Sequence, residues 1–227
     1  MKKIGFIVFI VALTIGSIFS ANCSFNGFSK KLSGTQYGSG TSKTETRDLS
    51  GFEEIEAGGA VNVEVSVQKD FSVTVEADDN LIQDIKTEIN GNALKIYSEA
   101  RISPKTKINV KISMPEINAV DLSGASTAVV SNVKSDSIKL EASGASKIKI
   151  DGEANSLESY ASGASGINAE GLKVENADIE ASGASNTTVW ANEELKADAS
   201  GASSIYYAGE PKNLLQNSSG ASSVRKK

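Results

Sequence analysis

Residues 143–165 read SGASKIKIDGEANSLESYASGAS, and the tetrapeptide SGAS both opens and closes this stretch. The same four letters occur six times in the second half of the chain, with successive copies beginning 18 to 20 residues apart. The copies begin at Ser123, Ser143, Ser162, Ser182, Ser200 and Ser219. A step of this length is too short for a helical repeat and is typical of one turn of a coil of strands.

Apolar and polar residues alternate on both sides of each copy. Before the second copy the inward positions are Ile138, Leu140 and Ala142, and after it they are Ile148 and Ile150. Alternation with a period of two is typical of strands that bury one face. Each repeat is therefore predicted to form a strand, an SGAS corner, a second strand and a variable polar turn such as DGEANS or NEE.

One such repeat cannot bury its apolar face alone, whereas stacked repeats bury it against the repeats above and below. The sequence thus predicts an all-β fold, a single-stranded parallel β-helix with short coils of about 19 residues. We expect a right-handed winding, because parallel crossover connections are right-handed in about 98% of cases.

The glycines of the six tetrapeptides are predicted to stack as one column along the coil. They are Gly124, Gly144, Gly163, Gly183, Gly201 and Gly220. At a tight corner we expect backbone angles or contacts that a Cβ would obstruct. The alanine is expected to fit inside the bend, and the serine hydroxyls are expected to bond from one coil to the next.

Residues 47–116 are predicted to form an all-β N-terminal part that precedes the SGAS coils of residues 117–227. The runs VNVEVSV and FSVTVEA alternate in the manner of half-buried strands. Between two further alternating runs lies Asn90-Gly91, which favours a hairpin because both residues tolerate positive φ. The run KINVKISM predicts another strand, which ends before Pro115.

The first 23 residues have the pattern of a signal peptide for export. Lys2 and Lys3 precede an apolar run over residues 4–19, and the run falls short of the ~20 apolar residues that span a bilayer. Small and polar residues follow it and end in SANC at Cys23. The chain is therefore predicted to be exported.

Cys23 lies where a bacterial lipobox would place the cysteine that becomes the acylated first residue. Asn22 stands where Gly, Ala or Ser is usual, so cleavage after Ser20 or after Cys23 without a lipid is the alternative. We predict lipidation of Cys23 and a membrane-anchored location in the cell envelope, periplasmic or at the surface. Residues 24–46 are rich in Ser, Thr, Gly and Lys and are predicted to form a flexible tether.

Composition excludes several classes of function. The chain has a net charge of -5 and a pI near 5.0, which argues against nucleic acid as a partner. It contains no histidine and one cysteine, which excludes Ser-His-carboxylate catalysis, histidine metal sites and internal disulfide bonds. No catalytic residue, metal site or cofactor is predicted.

The residues two positions before each SGAS copy form an outward column that is rich in carboxylates. They are Asp121, Glu141, Tyr160, Glu180, Asp198 and Asn217. Stacked carboxylates repel one another or recruit a cation such as calcium. The alternative is a solvated face balanced by Lys139 and Lys196, and we favour it because a run of charge rarely forms a ligand cage.

The aromatic residues of the repeat region are a second candidate for binding. They are Tyr160, Trp190, Tyr206 and Tyr207. Exposed aromatic rings could stack on sugar rings, but such residues more often fill a core or a corner.

Several motifs occur in a characteristic order along residues 40–227. They are RDLSGFEEIEAGGAVNVEV, VEADDNLIQDIKTEINGNALKI, KINVKISMPEI and then serial LSGAS or ASGAS. In this order they resemble the head GIN domain family of auto-transporter adhesin heads. The resemblance implies a right-handed single-stranded β-helix, a location in the bacterial cell envelope and an adhesin-like role, and it supplies no catalytic residues.

Three functions are compatible with these observations. The first is a lipid-anchored binding or adhesion module without catalytic activity, with a glycan or a surface protein as partner. The second is an envelope structural or interaction protein without a small ligand. The third is a carbohydrate-active enzyme similar to polysaccharide lyases, which would need an acid, a base and a substrate platform in one cleft. Because Arg225 is the only arginine of the repeat region, the sequence favours the first two.

Overall fold

The computed structural model describes residues 34–227, and this range forms strands, turns and bends without a helix. No segment of the described range could therefore cross a membrane as a long apolar helix. The predicted signal peptide and Cys23 lie outside the described residues.

The described range contains 17 strands, nine before residue 117 and eight after it. The first nine are β1 (Gln36–Tyr37), β2 (Ser42–Arg47), β3 (Glu54–Ala57), β4 (Val61–Val67), β5 (Ser72–Asp78), β6 (Ile85–Asn90), β7 (Ala93–Ser98), β8 (Ile102–Ser103) and β9 (Ile108–Met114). The others are β10 (Ala119–Leu122), β11 (Thr127–Ala142), β12 (Lys147–Ala161), β13 (Gly166–Ala181), β14 (Asn186–Ala199), β15 (Ser204–Ala208), β16 (Asn213–Ser218) and β17 (Ser223–Lys226).

The four long strands β11 to β14 form the body of a β-solenoid. Each pairs in parallel with the next, and β15, β16 and β17 continue the stack. The register aligns equivalent repeat positions, so that Ala142 pairs with Ala161, which pairs with Ala181. The stack has about five turns. The predicted all-β fold of parallel stacked coils is confirmed.

The core consists of inward columns that run along the stack. One column contains Ile138, Leu157, Ala177 and Leu195, each at most 4% exposed. Burial of a Leu or Ile side chain contributes about 1.5–3 kcal/mol to the stability of the fold, so a column of such residues stabilises the stack strongly. The column continues to Leu214 on the last coil, where the side chain is 39% exposed because no described strand covers it.

The glycine column lies at a corner where the backbone adopts the left-handed conformation. The φ angles of its six glycines lie between +70° and +74°. Neighbouring coils approach so closely there that a Cβ on Gly163 would lie 2.7 Å from the carbonyl oxygen of Gly144. The same oxygen accepts a 2.7 Å hydrogen bond from the N–H of Ala164. The corner therefore needs glycine for its backbone angle and for the spacing between coils.

The alanine of the tetrapeptide lies outside the bend, and its second serine lies inside. Ala145 is exposed, whereas Ser146 is fully buried. The expectation of an alanine inside the bend is wrong because the alternation of Ile148 and Ile150 already begins at Ser146. The hydroxyl of Ser146 donates a 3.1 Å hydrogen bond to the carbonyl of Leu122 on the preceding coil, not to a stacked serine.

Equivalent bonds recur in the later copies and join the second serine of each to the backbone of the coil before it, whereas the buried hydroxyl of Ser126 in the first copy has no hydrogen-bond partner among the described residues. Their donors are Ser165, Ser185, Ser203 and Ser222, with distances of 2.9–3.2 Å. These bonds satisfy a buried hydroxyl at the corner without any charge.

The polar segments between the tetrapeptides remain part of the strands. DGEANS lies within β12 and bends at Gly152, where φ is +136°, and Asn132 with φ +62° lies at the bend of β11. The pairing register shifts near these points, for example between Lys149 and Asp151. The prediction of separate turns was wrong because each bend keeps its parallel partners on the coils above and below.

The N-terminal part continues the same stack. Strand β3 pairs in parallel with β10 and β7, and β4 pairs in parallel with β11 and β9. Antiparallel pairs flank it, since β5 lies between β2 and β9. The predicted hairpin is present, with Asn90 of β6 paired to Ala93 of β7.

Strand β1 and all of β2 except Arg47 lie within residues 24–46, the segment that was predicted to form a flexible tether. Strand β2 pairs with β5 along six residues, so the folded part begins before residue 47. The sequence of β2, SKTETR, contains no apolar residue, and its burial pattern is mostly exposed. An edge strand of this kind lacks the alternation on which the assignment depended.

A buried carboxylate fixes the first described segment to the body. Asp78 is fully buried and accepts hydrogen bonds from the backbone N–H groups of Gly40 (2.7 Å), Lys105 (2.9 Å) and Thr106 (3.1 Å). Burial acts to raise the pKa of Asp78, but the backbone donors outweigh it and hold the pKa below its usual range. Residues 38–41 are thereby tied to the loop before β9.

Candidate functional site

The outward column predicted from the sequence exists as one line of side chains. We call it the acidic column. The pairing register places Asp121, Glu141, Tyr160, Glu180, Asp198 and Asn217 on successive coils. The N-terminal part extends the line through Glu56 and then Lys95.

The strongest repulsion in the acidic column is at its N-terminal end. Three carboxylates, Glu56, Asp121 and Glu141, follow one another there without an interruption. Desolvation raises the pKa of Asp121, and the charges of Glu141 and Glu56 raise it further, against an opposing effect of Lys139 and Lys95. Asp121 is therefore a carboxyl that resists ionisation, although it lies at the surface.

Lysines neutralise much of the rest of this face. Lys139 forms an ion pair with Glu141 at 2.6 Å, and Lys196 bridges Asp178 at 3.0 Å and Asp198 at 3.6 Å. Hydrogen bonds to these carboxylates raise the pKa of Lys139 and of Lys196. Within residues 34–227, no cluster of three or more His, Cys, Asp or Glu side chains is arranged to hold a metal ion. Lysines thus pair with several of the carboxylates on this face.

The predicted aromatic residues do not form one platform. Tyr160 is 36% exposed, and the Nζ of Lys139 lies 5.5 Å from its ring centroid. Tyr207 packs against the hydrophobic core, and Tyr206 is half-buried on a different face. Trp190 lies at the edge of a groove that the sequence analysis did not identify.

That groove lies along the bends between the tetrapeptides and has a volume of about 930 Å³. We call it the loop-edge groove. It is lined by side chains of five successive coils, from Glu116 and Asn118 through the segments 134–137, 153–155 and 173–175 to Asn192. Each segment lies within or beside a paired strand, so the sheet holds its side chains at a fixed spacing.

One wall of the loop-edge groove alternates in charge. The register stacks Lys134 on Glu153, Glu153 on Lys173, and Lys173 on Trp190. The Nζ of Lys173 lies 3.1 Å from the ring centroid of Trp190, a cation–π contact. The indole N–H of Trp190 donates to the side-chain oxygen of Asn192 at 3.3 Å. Cationic and anionic residues therefore occupy adjacent positions along this wall.

Polar side chains occupy the other wall and the floor between the two walls. The amide of Asn155 donates to the carboxylate of Asp136 at 2.9 Å. The hydroxyl of Ser135 lies 3.3 Å from the side-chain oxygen of Asn118. Ala154 and Val174 supply buried apolar positions between the two walls. The groove is therefore mainly polar, with donors and acceptors repeated from coil to coil.

Alignment on SGAS could not reveal this groove because the segments that line it shift in register. The steps from Lys134 to Glu153, to Lys173 and to Trp190 are 19, 20 and 17 residues. Alternating charge at nearly constant spacing in the variable segments is the signal from which this groove could have been predicted.

Comparison with solved structures identifies proteins of similar fold. A protein described as a putative adhesin from Bacteroides fragilis NCTC 9343 has a TM-score of 0.69 and 19% identity, covering 84% of this chain and 99% of its own. A putative adhesin from Parabacteroides distasonis ATCC 8503 has a TM-score of 0.55 and 20% identity, covering 86% of this chain and 100% of its own.

A protein from the same Parabacteroides strain, described as a putative lipid binding protein, has a TM-score of 0.53 and 20% identity, with the same coverage. At these identities the likeness shows the fold alone. No curated protein sequence matches the chain significantly. The model of one protein family matches residues 51–211, and the chain belongs to that family, described as "Putative auto-transporter adhesin, head GIN domain".

Proposed function

We propose that the protein is an exported, lipid-anchored binding or adhesion module of the cell envelope, and that it has no catalytic activity. The adhesin-like family supports an exported or surface role. The rigid stack of coils supports binding through repeated contacts, because each of the long strands β11 to β14 is held on both sides by its neighbours.

The loop-edge groove is the observation that carries this proposal. It is open and polar, crosses five coils and presents groups that can bind an extended partner. A catalytic cleft would bring an acid and a base to one bond of a substrate. Asp121, whose pKa is raised, instead lies on the acidic column with paired charges around it.

The anchor belongs to the same proposal. Acylation of Cys23 would leave 12 residues before β1 at Gln36. A chain of that length spans at most about 40 Å when fully extended. The head would therefore act close to the membrane surface.

Binding by the full chain tests the function. Glycan arrays and pull-down from envelope extracts should detect a partner. Lys173→Glu places a second carboxylate next to Glu153 and disturbs the charged wall, so it should reduce capture of that partner. Lys149→Glu is the matched control, because Lys149 is exposed on a different face. Equal loss in both variants would contradict binding at the groove. Turnover of a polysaccharide that is abolished by changing Asp121, Glu141 or Glu180 would replace the proposal with the enzyme hypothesis.

A structural or interaction role without a small ligand is the second candidate. The observation that favours it is the exposed ridge of Ser, Gly and Ala at the SGAS corners, which carries no charge. Chemical cross-linking in the envelope that captures one protein partner through this ridge, with no ligand bound in the groove, would favour this role over the first.

A further inference from the structure

We propose that the loop-edge groove binds an uncharged glycan chain that lies along the axis of the coil, with about one sugar unit for each coil. This inference rests on the proposed function and names the class of partner for the same groove.

The spacing of the groove suits a sugar polymer. Paired strands lie about 4.8 Å apart, so equivalent side chains on successive coils repeat at that distance. The advance of one pyranose unit along an extended β-linked glycan is close to this spacing. An extended peptide advances about 3.3 Å per residue, so three residues span about two coils and the peptide meets equivalent groups only on every second coil.

The charge of the groove argues against anionic polymers. Its lining contains four carboxylates, Glu116, Asp136, Glu153 and Glu175, against two lysines, Lys134 and Lys173, which leaves a net charge of -2. A phosphate or uronate chain would meet this negative excess at close range. A neutral chain incurs no such repulsion.

The polar groups of the groove match the needs of sugar hydroxyls. Amide side chains at Asn118, Asn155 and Asn192 each offer a donor and an acceptor, on the first, third and fifth coils of the groove. Ala154 and Val174 are the apolar residues of the lining, which is too little apolar surface for a lipid chain or a hydrophobic helix.

Trp190 provides both a further contact and a probe. Its ring lies at the C-terminal end of the charged wall and is covered by the ammonium group of Lys173. A sugar at this end can stack on the indole only if Lys173 moves aside. Because Trp190 is the only tryptophan of the chain, intrinsic fluorescence reports on this end of the groove alone.

The test is a fluorescence titration of the full chain with neutral cello-oligosaccharides and chito-oligosaccharides, from disaccharide to octasaccharide, with oligogalacturonate as the anionic comparison. We expect the emission of Trp190 to change with a neutral series, and the affinity to rise with length up to about five sugars and then to level off, because the groove crosses five coils. Oligogalacturonate should bind at least about tenfold more weakly, a difference of about 1.4 kcal/mol.

Variants locate the site. Asn155→Ala should weaken binding about tenfold, whereas Asn186→Ala, an exposed asparagine on another face, should leave it unchanged. Lys173→Gln should keep or strengthen binding and enlarge the fluorescence change, since it removes the charge from the indole. Circular dichroism confirms that each variant is folded.

Several results would overturn the inference. They are an absence of binding by both neutral series, affinity that does not depend on length, equal or tighter binding of oligogalacturonate, or equal loss in the two asparagine variants. In each case the proposed function stands if the full chain still captures a partner by pull-down and Lys173→Glu reduces that capture. Failure of both experiments would reject the function as well.

Discussion

Replacement of Gly163 by alanine tests whether the corner of the coil needs glycine for two separate reasons. The first is the backbone angle, since a φ of +72° costs a residue with a Cβ about 1–2 kcal/mol. The second is the contact between coils, because the new Cβ would lie 2.7 Å from the oxygen and 3.1 Å from the nitrogen of Gly144. Real Cβ atoms do not approach backbone atoms this closely, so the two coils must separate.

The separation adds its own free-energy term. It lengthens the hydrogen bond from Ala164 to Gly144 and strains a packed corner, and such overpacking costs about 1–3 kcal/mol. Together the two effects should lower the free energy of unfolding by about 2–5 kcal/mol. Gly91 is the matched control, because its φ is +62° and no atom lies within 4 Å of an added Cβ. Gly91→Ala should therefore show the angle effect alone, about 1–2 kcal/mol.

Equilibrium unfolding in urea, followed by far-UV circular dichroism and by the fluorescence of Trp190, measures both variants. Stacked repeats can unfold in parts. The free energies of unfolding of the two variants can therefore be compared if circular dichroism and fluorescence give the same transition, and if the dependence on urea concentration matches that of the unmodified chain. We expect Gly163→Ala to be destabilised at least about twice as much as Gly91→Ala. Equal destabilisation would refute the argument from coil contact, and a neutral Gly163→Ala would refute both parts.

Three further predictions concern other parts of the chain. Asp78→Asn should lower the urea midpoint several times more than Asp70→Asn at an exposed site, because the amide cannot accept hydrogen bonds from all three backbone donors of Asp78. Equal midpoints would contradict a stabilising role of these hydrogen bonds. Asp121→Asn should raise stability by a few tenths of a kcal/mol at neutral pH. Because the folded state raises the pKa of Asp121, ionisation of this carboxyl destabilises the fold. The gain in stability should therefore disappear below the ordinary aspartate pKa and shrink in high salt. A gain that persists at about pH 3 would argue against charge repulsion. Intact mass of the membrane-bound chain should show an acylated Cys23 as its first residue, whereas a lipid-free chain that begins at Ala21 or Ser24 would show ordinary secretion.

The coils could be predicted from the sequence because the inward positions stack on equivalent positions in every copy. Ile148 and Ile167 pair directly, and Thr187, although polar, occupies the next place in the same column and is fully buried. Several matching columns leave only one register that buries all of them. Alignment on the tetrapeptide was therefore sufficient for the fold class and for most of the core.

The same alignment failed where the chain departs from the repeat. Strand β2 has no apolar residue and is held by pairing with β5 and by the Asp78 contacts at residues 38–41, which no local pattern reveals. The tetrapeptide itself was treated as a single corner, although the inward alternation resumes at its last residue, Ser146. In both cases the deciding contacts join residues that are distant in sequence.

The location of the groove in the variable segments follows from the same physical constraint that made the fold predictable. Corner positions must repeat, because a Cβ at Gly163 would collide with the coil before it, and identical corners cannot distinguish one partner from another. The bends between the corners are less constrained, since Ala154 and Val174 fill the core there while the outward positions differ from coil to coil. Lys134, Glu153 and Lys173 can therefore change without loss of the stack. Substitutions in the groove should alter which partner binds while leaving the free energy of unfolding within about 0.5 kcal/mol, which is the behaviour expected of a binding surface carried by a rigid repeat scaffold.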